Sequence, residues 1–168
     1  MIKKLLLALA VMIPACAFAQ AKFGVVDAQA VMSLMPETKT AEEQLAAASK
    51  TYEDECAKLT EEINKKYEDY QALGQDTPAA IRERREQEIQ DLTQRVQAFQ
   101  QKAQQDLARQ QQTLMAPIQE KLVNAIKAVG AEKGFTMIFP DGVAIYTGTD
   151  IVDVTADVKT KLGLGATK

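Results

Sequence analysis

Gly74-Gln75-Asp76-Thr77-Pro78 is the stretch whose reading decides the fold. It interrupts two long segments of helical periodicity, with Gly74 suited to a left-handed C-terminal cap, Thr77 to an N-cap and Pro78 to a first helical position. So short a break predicts two helices folded back on each other as an antiparallel pair.

Before the break, Leu45, Tyr52, Cys56, Leu59, Ile63, Tyr67, Tyr70 and Leu73 fall at helical spacing. The steps from Tyr52 to Ile63 alternate between four and three residues, the rhythm of a coiled-coil seam. After it, the rhythm continues through Ile81, Ile89, Leu92, Val96, Phe99, Ala103, Leu107, Leu114, Ile118, Leu122, Ile126 and Val129. Glu, Asp, Lys and Asn separate the first set. Glutamine dominates the polar positions of the second, as at Gln97, Gln100, Gln101, Gln104, Gln105, Gln110, Gln111 and Gln112. One narrow apolar stripe on a polar rod is the result. Thr40 with Glu43 matches a capping box for the first helix. Pro117 lies inside the second, where it predicts a kink or a junction of two helices near Ala116.

Outside the rod the pattern changes. Lys22 to Val26 is β-prone, Asp27 can cap the next element, and Ala28 to Met35 reads as a short helix ended by Pro36. Beyond Gly130 and Gly134, Phe135 to Phe139 and Val143 to Tyr146 flank Pro140-Asp141-Gly142 and read as a β-hairpin. Asp150 to Leu162 reads as a terminal helix, capped by Asp150 or Thr155, with a loose tail from Gly163. The fold class expected is therefore α+β: a helical coiled-coil hairpin over 40–129, its tip near 74–78, on a small β-rich body formed by 20–39 and 130–168. Three short strands make a marginal sheet whose open edges invite pairing with another chain.

The first 19 residues stand apart. Lys3 and Lys4 precede the apolar run Leu5–Ile13, and Ala17-Phe18-Ala19 supplies a small-x-small cleavage site. This is the pattern of a removed signal peptide, leaving Gln20 first. Ile13-Pro14-Ala15-Cys16 is a degenerate lipoprotein-like alternative, disfavoured by Pro14. Cleavage lowers the 20 Lys+Arg to 18 against 23 Asp+Glu, a net charge of about −5. That balance gives no electrostatic case for nucleic acid. Cys56 is then a lone cysteine without a disulfide partner in its own chain.

The chemistry of catalysis is thin. The chain has no histidine, which removes the commonest general base and transition-metal ligand. Gly163-Leu164-Gly165 is no phosphate loop. Glu42-Glu43, Glu53-Asp54 and Glu61-Glu62 read as solvated helix faces, and Asp141, Asp150, Asp153 and Asp157 lack an EF-hand pattern. Neither an enzyme nor a cofactor or metal site is expected. Lys65, Lys66, Arg82, Arg84 and Arg85 flank the tip and form a candidate contact with anionic headgroups or client chains. The surrounding Glu68, Asp69, Asp76, Glu83, Glu86 and Glu88 favour plain charge interleaving instead.

Lys22-Phe23-Gly24-Val25-Val26-Asp27, the Gln/Lys/Arg-rich hairpin, Gly134–Phe139 with Val143–Tyr146, and Asp153-Val154-Thr155-Ala156-Asp157-Val158 together resemble the Skp (OmpH) family of periplasmic chaperones. The resemblance implies a homotrimer in which three hairpins hang as tentacles from a joined body. It implies ATP-independent holding of unfolded outer-membrane β-barrel proteins in the cavity between them, with neither nucleotide nor metal. The best-known members are strongly basic and this mature chain is acidic, so no lipopolysaccharide site carries over. A periplasmic adaptor and an envelope spacer without chaperone activity are the competing readings. An adaptor needs sizeable β-domains on both sides of its hairpin, whereas about twenty mature residues precede this one.

Overall fold

The computed structural model describes residues 21–164. The leader read over 1–19, with its cleavage site, Cys16 and Gln20, lies outside them, as does the tail from Gly165. Along the described chain run β1 (Phe23–Val26), α1 (Ala28–Met32), α2 (Pro36–Gln71), α3 (Ala79–Lys133), β2 (Met137–Pro140), β3 (Val152–Asp153) and α4 (Thr155–Lys161).

Asp27 does cap α1, its Oδ1 accepting from Ala30 N at 2.8 Å. The start of α2 differs from expectation. Pro36 opens this helix rather than ending its predecessor, and Met35 is the N-cap without a side-chain bond. Proline suits a first turn because its missing N–H has no helical partner there anyway. Met35 is fully buried and anchors the junction. Thr38 Oγ1 donates to Met32 O at 2.7 Å, tying α2 back to α1. Thr40 is thus an interior residue, bonded to Pro36 O, and forms no capping box.

α2 has 36 residues and α3 has 55, lengths of about 54 and 82 Å at 1.5 Å per residue. They pack antiparallel: partners retreat along α3 as they advance along α2. Glu37 meets Lys121, Tyr52 meets Phe99 and Asp106, Lys66 meets Glu88, and Tyr70 meets Glu86. In the seam, Leu59, Leu92 and Val96 are buried together, with Ile63 and Phe99 packed against them. Tyr67 and Ile81, read as seam residues, stand about half exposed. α3 runs unbroken through Pro117, so no pair of helices meets at Ala116. At the turn, Gly74 does not take the left-handed conformation and Pro78 is itself the N-cap. The Arg82 guanidinium instead closes the loop by donating to Gly74 O.

The sheet corrects the expected hairpin. Its order is β2-β1-β3, with both neighbours parallel to β1: Phe23 faces Met137, Val25 faces Phe139, and Gly24 faces Val152. Val143–Tyr146 forms no strand. The Pro140–Val143 turn does form, with Gly142 at φ +78° in its third position. A positive φ there is open to glycine at little cost, but the residues that follow the turn find no partner strand. Meanwhile β1, placed between β2 and β3, finds partners along both edges. The last helix begins at Thr155 rather than Asp150, and Val154 is its cap without a side-chain bond.

One apolar cluster roots the whole. Val26, Val31, Met35, Ala41, Ile118, Leu122, Ala125, Val129, Val154 and Val158 are buried together. The sheet, both short helices and the base of the long pair thus share a single core.

Candidate functional site

Three surfaces of this frame carry side chains free to act. At the tip, Glu88 gathers the cations. Its carboxylate accepts from Arg85 Nη1 at 3.0 Å and Arg84 Nε at 3.2 Å, and lies 3.4 Å from Lys66 Nζ. The Arg85 bond, more than that of Lys66, holds the Glu88 carboxyl below its usual range. Arg82 is turned onto the Gly74 carbonyl, and Lys65 is exposed. Three of the five tip cations singled out in the sequence therefore meet one acid.

At the base, Pro36, Ala41, Leu114, Pro117 and Ile118 line an open groove of about 590 Å³ between α2 and α3. Lys121 donates to Glu37 Oε1 at its rim and holds the Glu37 carboxyl below its usual range. Pro117 sits where its missing N–H frees the carbonyl one turn back, that of Thr113. The groove is apolar and carries no titratable pair beyond this ion pair.

The third surface is the outer face of the sheet, which sequence reasoning missed. Strand residues alternate between faces. Gly24 and Val26 turn inward and are buried, which leaves Phe23 and Val25 outward beside Met137 and Phe139. Phe23 and Phe139 stack with ring centroids 6.5 Å apart, yet both remain more than a third exposed, and Met137 is 54% exposed. Just beyond, Val143 (65%), Ile145 (107%) and Tyr146 (85%) project into solvent. The period-two pattern Phe23-Gly24-Val25-Val26 carried the signal, but it names a face only once the partner strands are known.

Three of the four acids considered for a cation are spent locally. Asp141 Oδ1 accepts from Gly142 N, Asp153 Oδ1 from Thr155 N, and Asp157 pairs with Lys133. Cys56 is free and half-buried in the seam. No helix of the described residues is long and apolar enough to cross a membrane.

A long antiparallel helix pair rooted in a small parallel sheet defines a class of helical-limb proteins. Residues 22–162 match the family described as outer membrane protein (OmpH-like), from the residue before β1 to the residue after α4, and the chain belongs to that family. No curated protein matches the chain.

Proposed function

We propose that this protein is a periplasmic, ATP-independent holding chaperone that keeps unfolded outer-membrane β-barrel proteins from aggregating. The observation that carries the reading is the family match, which spans root and limb together. The physics of the limb supports it. A two-helix rod with a thin seam exposes far more surface than it buries, and mixed polar walls can touch many sequences weakly without selecting one. Holding an unfolded chain lowers the population free to aggregate, by mass action.

In this reading the chain is a homotrimer joined through its body, and clients occupy the cavity between three limbs formed by residues 40–129. The uncovered sheet face supports self-association: parallel sheets are ordinarily covered on both faces, and Phe23, Met137 and Phe139 lack a cover within the described chain. Tip contact with anionic headgroups belongs to the same reading. Lys65 is its most available cation, since Glu88 engages Lys66, Arg84 and Arg85 and Arg82 is turned onto the Gly74 carbonyl.

Light scattering on size-exclusion fractions tests the proposal, with the mature chain alone and mixed with a urea-diluted outer-membrane β-barrel polypeptide. The expected result is a trimer that gains one client and keeps it soluble. A monomer or dimer that leaves the client to aggregate would sink the proposal and favour an envelope spacer.

A further inference from the structure

The two long helices turn very different faces away from their shared seam. In α3 the seam positions Leu92, Val96, Phe99 and Ala103 are buried or half-buried. Half a turn away runs a second series at the same alternating spacing of three and four: Gln87, Gln90, Gln94, Gln97, Gln101 and Gln104. All six are exposed. At 1.5 Å per residue the series extends about 26 Å. The equivalent face of α2, opposite Tyr52, Cys56 and Leu59, reads Lys50, Asp54, Ala57, Glu61, Asn64 and Glu68, also exposed. One outer wall of the limb is an uncharged amide ladder, and the other is charged with an acidic excess.

Side-chain hydrogen bonds along this part of α3 are made by Glu88 and Thr93, and just beyond it by Asp106, Arg109 and Thr113. Among the described residues no glutamine of the ladder is drawn into one, so each carboxamide keeps a carbonyl acceptor and two N–H donors. Those are the groups an unfolded polypeptide presents along its backbone, whatever its side chains. The rungs repeat about every 5.3 Å along the helix, whereas like-facing residues of an extended strand repeat about every 6.7 Å. The mismatch prevents a locked register, so contacts stay individually exchangeable.

A second copy of the chain is the other occupant such spacing suggests, through a glutamine zipper between limbs. A dry seam of this kind would bury facing carboxamides with several N–H groups unmatched, and each unsatisfied group carries a full desolvation penalty. A hydrated, adaptable peptide backbone carries no such penalty.

We infer that the Gln87–Gln104 ladder of α3 is the surface on which the limb holds its client, by hydrogen bonds to the backbone of an extended, unfolded polypeptide. The inference rests on the holding-chaperone reading and names the side of the limb that does the holding. α2 serves as the outer, solvated wall.

The test uses the full mature chain and a urea-diluted outer-membrane β-barrel polypeptide that contains tryptophan. The chaperone has no tryptophan, so fluorescence reports the client alone. The variant Q90A/Q94A/Q97A/Q101A/Q104A is compared with D54A/E61A/E68A on α2. Alanine is the best helix former, so α3 is not weakened. The ladder variant is expected to bind about tenfold more weakly with unchanged mass and circular dichroism, while the α2 variant stays within about twofold. An isosteric Gln→Glu version, measured in high salt to screen the added charge, is expected to lose affinity as well, because a carboxylate cannot donate. Unchanged affinity in both ladder variants overturns the inference and leaves the chaperone reading standing. A fall in oligomeric mass overturns it in favour of a zipper between copies. If the parent chain binds no client, the chaperone reading fails and the inference falls with it.

Discussion

Gly24 lies between two strands, where a Cβ would meet Phe135 Cε1 at 3.0 Å and the Val152 carbonyl oxygen at 3.2 Å. The Phe135 ring is held beneath Lys22, whose Nζ lies 4.2 Å from its centroid, and the backbone of β3 cannot yield without loss of pairing. Gly24→Ala is therefore expected to cost about 1–3 kcal/mol, read as a lower urea midpoint. Thr38 offers a polar counterpart. It is the one buried polar residue described, and its hydroxyl satisfies the Met32 carbonyl. Thr38→Val keeps the shape and removes one of the two bonds to that carbonyl, which still accepts from Met35 N at 3.1 Å, so a loss of about 0.5–1.5 kcal/mol is expected by the same measurement. Acid acts on a third set. Lys121, Arg85 and Thr155 respectively hold the carboxyls of Glu37, Glu88 and Asp153 below their ordinary values. A depressed folded pKa adds stability that is complete above the unfolded value and lost as pH falls through the folded one. Urea midpoints should thus hold steady down to about pH 5 and fall below about pH 4. Glu37→Gln should flatten part of that fall; an unchanged profile would remove Glu37 from the account.

The helices were legible element by element because their causes are local. A four-three rhythm around Leu59 and Val96 and a Gly-to-Pro break give two antiparallel helices without reference to anything distant. The same logic makes the seam testable. Leu59→Ala opens space against Leu92 and Val96, with an expected loss of about 2–4 kcal/mol, whereas the half-exposed Tyr67 should cost under about 1 kcal/mol on truncation. Pro117 should behave in the opposite sense. It stands exposed inside a continuous helix, and Pro117→Ala restores an N–H donor to the Thr113 carbonyl, so a gain of about 1–3 kcal/mol is expected by urea denaturation. The strands were less legible, because pairing of β1 with β2 joins residues more than a hundred positions apart. Val143–Tyr146 has β-forming residues but no partner strand, and local propensity cannot supply one. Gly134 and Gly163 show what a local rule does fix. Each takes a positive φ at a helix end, and the next residue, Phe135 or Leu164, donates back to Gly130 O or Lys159 O. This is the Schellman closure, which lays Phe135 and Leu164 onto the core.

At the scale of the whole molecule, the core and the exposed surfaces make different demands. The root buries one side of a three-stranded sheet, and the other side keeps Phe23, Met137 and Phe139 in water beside Val143, Ile145 and Tyr146. Contiguous apolar surface of this kind marks an interaction site, and a parallel sheet is rarely stable with a bare face. The candidate tip was legible as composition, but the gathering of its cations onto Glu88 was not, because it depends on which helix turns face each other. The sheet face was hidden for the same reason, since inward and outward become defined only through pairing. If this face joins the copies, Phe139→Glu should place a charge at its centre while leaving Val26, Val154 and the rest of the root untouched. The expected outcome is a fall in mass toward the monomer by light scattering, with circular dichroism still dominated by α2 and α3. Client binding should weaken in step, because a cavity between limbs needs more than one limb. A variant that keeps the parent's mass would show that the copies meet elsewhere. A monomer that still holds a client as tightly as the parent would mean that a single limb suffices, and the shared cavity would lose its role.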